Sequence, residues 1–199
     1  MCGRYLFSAE EFNEFRQIAE DVQRRCGVDP LHFPMAGDVL PSRPAPVLIG
    51  HDGRVNAELQ TWGLPARNGG RIINARAETV REKPMFRQSI LTRRCVVPAC
   101  GFYEWDAAKH KYYFRLPGSP LYLAGLYDIA EGVPCFVILT TAPNDSMRDI
   151  HDRMPLILPP DGIRPWLTDT EAALRLLAGT PPLLARTRTD GQLSLDDYL

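Results

Sequence analysis

Apolar positions in this chain recur at two different spacings, and the change between them marks the predicted elements. From Ser8 to Cys26, apolar Phe12, Phe15, Ala19, Val22 and Cys26 fall three or four residues apart, as on one face of an α-helix. Ser8 with Glu11 reads as a capping box, Gly27 as the stop, and the charged opposite face as solvent-exposed. Pro30 to Pro46 is rich in proline and reads as a loop. Strand-like stretches follow at Val47–Ile49, at Val55–Trp62 after a turn at His51-Asp52-Gly53, and at Ile72–Asn74. Further strands are expected over Cys95–Trp105, Lys111–Leu116, Leu121–Tyr127 and Cys135–Thr141. Short helices are expected over Phe86–Leu91, from near Asn144, and over Asp169–Leu177 with Asp169 or Thr170 as cap. Strands fill the middle and helices the ends and insertions. The pattern therefore predicts an α+β fold, a single compact domain over residues 1–199 around an antiparallel, barrel-like β-sheet with flanking helices, and not alternating βαβ units.

Composition narrows the function classes. The chain has 199 residues, 45% of them hydrophobic and 24% charged, enough to bury a substantial core. Apolar runs such as Phe136–Leu139 are far shorter than the roughly 20 residues of a spanning helix. With no basic start followed by an apolar stretch either, the expectation is a soluble, cytoplasmic protein with no membrane partner. A net charge of −1 gives no bulk attraction to a polyanion, so any such binding needs a local patch. One lies between Arg71 and Arg94, where Arg71, Arg76, Arg81, Lys83, Arg87, Arg93 and Arg94 face only Glu78 and Glu82. Arginine far outnumbers lysine, which suits bidentate phosphate contacts, although a GC-rich genome gives the same bias. No phosphate-cradling glycine loop, H-E-x-x-H or zinc-spaced Cys/His set is present, so no cofactor and no metal are expected.

The five cysteines are odd in number and form no C-x-x-C pair, which argues against disulfides. Cys95, Cys100 and Cys135 lie in apolar strand-like runs and read as small buried hydrophobes, as does Cys26 at the end of the helix pattern. Cys2 differs because only the initiator methionine precedes it. Removal of Met1 would leave a 1,2-aminothiol, whose amine, with a pKa of roughly 7.7–8, is substantially neutral near pH 7 and attacks aldehydes. The thiol then adds to the same carbon and closes a five-membered thiazolidine, which an internal cysteine cannot do because its nitrogen is in a peptide bond.

Four motifs then occur in order: Met-Cys-Gly-Arg-Tyr (residues 1–5), Asn-Ala-Arg-Ala-Glu-Thr (74–79), Arg-Arg-Cys-Val-Val-Pro-Ala-Cys-Gly-Phe-Tyr-Glu-Trp (93–105) and Ile-His-Asp-Arg-Met-Pro (150–155). Together they resemble the SRAP family, the SOS response-associated peptidases, also described as abasic-site processing proteins. The resemblance covers residues 1 to about 160, and the tail 161–199 carries no functional signal. The segment Gly37–Ser42 departs from the family's common Tyr-Asn-x-Ala-Pro form.

The resemblance implies a bacterial DNA-damage-response protein that binds single-stranded DNA at abasic sites and crosslinks to them covalently through mature Cys2; a compact monomer is the default expectation. That is activity of a hydrolase or lyase class, at the nucleoid when bound. It implies Asn74 as the side chain orienting the amine or sugar oxygen, and Glu104 as the proton carrier for ring opening and imine formation. His151 would assist ring closure and reversal. Residues 102–105 alternate along a strand, so Glu104 among Phe102, Tyr103 and Trp105 is expected to be desolvated, with a raised pKa. Arg4 and Arg76 match the family's phosphate contacts, Trp62, Met85 and Phe86 are candidates for stacking on bases, and Thr141 for a hydroxyl contact. Two other readings stay open. One is a thiol peptidase using Cys2, including autoproteolytic removal of Met1; the other is a non-enzymatic single-strand binding module.

Overall fold

The computed structural model describes residues 2–27 and 36–189. Strand β1 (Tyr5–Ser8) leads into helix α1 (Asn13–Cys26) and then β2 (Ala36–Val39), β3 (Pro44–His51), β4 (Arg54–Trp62), β5 (Leu64–Pro65), β6 (Arg71–Ile72) and β7 (Asn74–Arg76). After α2 (Ser89–Thr92) come β8 (Arg94–Ala99), β9 (Gly101–Trp105), β10 (Lys111–Arg115), β11 (Leu121–Ala130), β12 (Val133–Thr141) and β13 (Met154–Pro155). Helices α3 (Ile163–Thr168) and α4 (Thr170–Leu176) precede β14 (Ala185–Arg188).

Strands β11, β8, β3, β4 and β12 pair in that order, and β12 returns to β11, closing a five-stranded barrel. Closure removes the open edges that would otherwise invite association. Its pairs are antiparallel except β4–β12, and two short strands extend β12, β7 in parallel and β13 antiparallel. A second sheet, ordered β14-β10-β9-β1-β2, is antiparallel throughout. The α+β, barrel-centred architecture is thus the one the hydrophobic pattern predicts.

Between barrel and sheet lies one core. Trp62 is fully buried, its ring centroid 5.2 Å from that of Tyr5 and 6.3 Å from that of Phe136, while Phe102 stacks on Phe114 at 5.3 Å. Helix α1 buries Phe15, Ala19 and Val22 and ends where Gly27 adopts φ 60°, a left-handed conformation that glycine takes without steric penalty. Asp21 on the same helix accepts from the Ala57 amide of β4 at 3.1 Å.

Several expected boundaries move, each for a tertiary reason. Ser8 does not cap the helix; it ends β1, which pairs with β2 and β9, its hydroxyl accepts from the Glu10 amide at 3.3 Å, and Phe12 takes the cap position. The expected loop Pro30–Pro46 contains β2 and the start of β3; its residues 30–35 lie outside the described residues. The expected strand Cys95–Trp105 is two strands in different sheets, turning at Cys100, whose amide donates to Leu6 O at 2.8 Å. A Cβ on the next residue, Gly101, would lie 2.5 Å from the Phe114 carbonyl oxygen, so that close approach requires glycine. The stretch expected as Ile72–Asn74 is divided between β6 and β7. No helix begins near Asn144, whose amide group donates to the Pro181 and Pro182 carbonyls at 2.9 Å and draws the chain into turns. Asp169 does cap α4, accepting from the Ala172 amide at 3.0 Å. Cys95, Cys100 and Cys135 are buried, but Cys26 is exposed at the last position of its helix.

Candidate functional site

Residues from four distant stretches meet where the start of β1 approaches the β7–β12–β13 end of the barrel. Continuing the β1–β9 pairing, the Tyr103 amide donates to Arg4 O at 2.9 Å, which draws Cys2 alongside Glu104. Strand β7 lies parallel to β12, Asn74 opposite Ile138, and this register carries the Asn74 side chain to the chain start, where Nδ2 donates to the Cys2 carbonyl at 2.9 Å. The Asn74 Oδ1 atom is buried without a hydrogen-bond partner among the described residues. His151 sits in the turn before β13, its Nε2 4.0 Å from Glu104 Oε2. The Arg153 amide donates to His151 Nδ1 at 3.0 Å, which assigns the ring proton of the neutral imidazole to Nε2, on the Glu104 side. Asp152 Oδ1, 3.0 Å from the same Nδ1, partners the ring when both nitrogens are protonated.

Burial governs the electrostatics. Cys2 and Glu104 are only 1% and 3% exposed. Burial, followed by the charge of Glu104, pushes the Cys2 thiol well above the ordinary thiol range, so the sulfur is held as a thiol. Burial likewise raises the Glu104 carboxyl, against the pull of positive charge that includes His151. A carboxyl whose proton is held more tightly than usual thus lies beside a protonated thiol and an imidazole. The cluster can pass protons at a site where the thiol and carboxyl are shielded from bulk water and the imidazole remains partly exposed.

Around this cluster the other sequence-selected residues divide. Arg4 lies over the Trp105 ring at 5.8 Å and reaches Asp38 at 3.4 Å, which is where the divergent Gly37–Ser42 segment enters the site, as β2. Arg76, exposed on β7, and half-buried Thr141 at the end of β12 flank Asn74 and His151 in the chain register. Met85 is 40% exposed. Trp62 and Phe86 are not available to stack on a base: both are core residues, and Trp62 Nε1 donates inward to Ile73 O at 3.0 Å. Their apolar rings gain more from the interior than from a wet surface.

The basic run also divides. Arg71 donates to Gly63 O at 2.7 Å, Arg93 pairs with Asp128 at 3.3 Å, and buried Arg94 donates to the carbonyls of Trp166, Ile90 and Leu91, so these three are structural. Arg76, Arg81, Lys83 and Arg87 remain exposed, beside Met85 on a segment anchored by buried Val80 and Phe86. Sequence reasoning assigned nothing to Glu78 or Arg153, which are joined by two hydrogen bonds of 2.7 and 2.8 Å. The available signal was their position inside the Asn74 and His151 motifs. Among the described residues there is no group of three His, Cys, Asp or Glu able to hold a metal ion, and no helix long and apolar enough to cross a membrane.

A barrel joined to an open sheet, with a buried cysteine at the head of the chain facing Asn, Glu and His, defines the class to which the chain is matched. It belongs to the SOS response associated peptidase (SRAP) family, whose pattern it fits over residues 1–187. Among individual relatives, it is 36% identical over 184 residues to abasic site processing protein YoqW of Bacillus subtilis, spanning 84% of this chain and 80% of that one. It is 30% identical over 180 residues to abasic site processing protein YedK of Escherichia coli, spanning 84% and 79%. The crystal structure of a phage-related protein from Bordetella bronchiseptica superimposes with a TM-score of 0.73 at 26% identity over 94% of each chain.

Proposed function

We propose that this protein captures abasic sites in single-stranded DNA, forming a covalent thiazolidine between the lesion aldehyde and Cys2 after Met1 has been removed. The observation that carries this reading is the convergence of Asn74, Glu104 and His151 on Cys2, with Asn74 Nδ2 2.9 Å from the Cys2 carbonyl and Oδ1 left as a free acceptor. The names of the relatives, abasic site processing proteins, support the substrate class.

The chemistry follows from the protonation states. In the chain that still carries Met1, burial holds the Cys2 sulfur as a thiol; once Met1 is removed, the freed α-amine, with an ordinary pKa of roughly 7.7–8, is the first nucleophile. It adds to the aldehyde carbon of the ring-opened sugar; the carbinolamine hydroxyl, once protonated, leaves as water, and the nitrogen gives up a proton as the imine C=N bond forms. Glu104, its carboxyl raised by burial, supplies the first proton and, as the carboxylate, accepts the second. The sulfur then attacks the imine carbon; the C–S bond forms, the thiol proton passes by way of Glu104 to nitrogen, and the ring closes with net loss of one water. Asn74 fixes the Cys2 backbone through Nδ2 and offers Oδ1 to an amine N–H. His151 Nε2–H faces Glu104 as the second proton carrier. Half-buried Arg4 and exposed Arg76, Arg81, Lys83 and Arg87 supply the phosphate contacts that a protein of net charge −1 otherwise lacks, with Met85 and Thr141 beside them.

A thiol peptidase needs the opposite electrostatics, a thiolate stabilised by a neighbouring cation, whereas burial and Glu104 both disfavour the Cys2 thiolate. Self-removal of Met1 acts on a single bond and is compatible with lesion capture. Incubating the mature protein with a single-stranded oligonucleotide containing one abasic site gives a slower band on a denaturing gel after boiling, absent for Cys2→Ala. A boiled wild-type sample with no shifted band rejects the proposal and leaves the non-covalent binding module.

A further inference from the structure

Asn74 and His151 reach the site on segments far apart in the chain, and one ion pair joins those segments. Arg153 Nη1 donates to Glu78 Oε1 at 2.7 Å and Nη2 to Oε2 at 2.8 Å, a two-point contact that a lysine cannot reproduce. Nη2 also donates to Thr140 O at 2.6 Å, the carbonyl that accepts from the Ala77 amide at 2.9 Å. Thr140 Oγ1 reaches back to Ala75 O at 3.5 Å. The Arg153 guanidinium thus meets a carboxylate from the segment after Asn74 and the strand, β12, on which both segments are laid. Its own backbone amide holds His151 Nδ1. The Arg153 side chain is 13% exposed, and its hydrogen bond holds the Glu78 carboxyl below the ordinary range.

We propose that Glu78 and Arg153 are positioning residues: their paired side chains lock the His151 turn against the Asn74 segment, fixing the Nε2–H tautomer of His151 and its distance from Glu104. This inference rests on the lesion-capture reading for its consequence, but its geometry is independent of DNA. Arg153 looks at first like one more phosphate contact on a basic surface. Its hydrogen bonds run inward, to a carboxylate and a carbonyl of this chain, and the amide on the same residue sets the imidazole. Cutting the pair at either end frees the turn, and misplacement of a proton carrier by about 1 Å is enough to lower a rate on the order of a hundredfold.

The test compares Arg153→Ala, Glu78→Ala, the double variant and the milder Glu78→Gln, which keeps the side-chain shape if the alanine variants fold poorly. Three quantities are read: crosslinking rate at saturating abasic strand, affinity for an intact strand of the same sequence, and the ring 15N shifts of His151 without DNA, assigned by their loss in His151→Asn. The clamp predicts that the Arg153→Ala and Glu78→Ala rates fall together, roughly tenfold to a hundredfold, that the double variant is no slower than either, and that both move the His151 ring shifts. Intact-strand affinity falls by less than about twofold in Glu78→Ala. If Arg153→Ala weakens intact-strand binding while Glu78→Ala leaves rate and ring shifts unchanged, Arg153 is a phosphate contact and the proposal is wrong. Should wild-type protein form no crosslink, lesion capture fails, and the ring shifts still decide whether the clamp sets His151.

Discussion

Trp62 is the residue on which the sequence pattern and the structure disagree most consequentially, and truncating it turns the disagreement into numbers. As a base-stacking residue it would be dispensable for folding. The structure instead buries it completely between Tyr5 and Phe136, its indole N–H bonded to Ile73 O at 3.0 Å. Replacing such a tryptophan by alanine removes its transfer free energy and leaves a cavity, together about 3–5 kcal/mol. The Ile73 carbonyl keeps the Ile138 amide as a donor at 3.0 Å, so losing the indole bond leaves no orphaned acceptor. Trp62→Ala is therefore expected to lose about 3–5 kcal/mol, a large part of the stability of a domain this size, and to lower Tm by roughly 6–20 °C. Urea unfolding followed by far-ultraviolet circular dichroism measures the loss, and strand binding below the new midpoint is expected to be unchanged. A variant that loses under about 1 kcal/mol yet binds intact single-stranded DNA more weakly would refute the burial argument and return Trp62 to the DNA surface.

Two further outcomes follow from burial. Because burial raises the Glu104 carboxyl, the folded chain holds that proton more tightly than the unfolded one; the resulting stability is full below the usual value of 4.5 and is lost as pH rises through the folded value. Glu104→Gln removes this titration, so its Tm relative to wild type is expected to rise between pH 4.5 and 7, and a pH-independent difference would contradict the raised carboxyl. A maleimide pulse on the native protein, read by mass spectrometry, is expected to label exposed Cys26 rapidly and to leave buried Cys2, Cys95, Cys100 and Cys135 protected; rapid labelling of Cys2 would mean that its pocket is open.

What could be read from the chain alone was whatever depends on local pattern. The face of α1, its Gly27 stop, the Asp169 cap and the apolar strands of the barrel all rest on spacing and capping chemistry within a few residues. The misread features depend on partners far away. Ser8 and Glu11 fit a capping box, but pairing of Tyr5–Ser8 with β2 and β9 outweighs a cap, and no local signal reports that pairing. The apolar run from Cys95 continues through Cys100 to Phe102, so the passage from barrel to sheet is marked in the sequence chiefly by Gly101. Helix α3 was hidden by Pro165 within it. At the site, spacing indicated that Glu104 would be desolvated, whereas the meeting of Cys2, Asn74 and His151 was foreseen only through resemblance. The Glu78–Arg153 pair went unnoticed because each residue, read singly, is an ordinary surface charge.

The central claim is covalent capture through an aminothiol, and intact-mass analysis tests it most directly. Purified protein, with the Cys2→Ala variant beside it, is measured before and after incubation with a single-stranded abasic oligonucleotide. The account predicts a species beginning at Cys2 that gains the oligonucleotide mass less one water, and no gain for the variant. A protein that begins at Cys2 and keeps its mass in the presence of the abasic strand would contradict it.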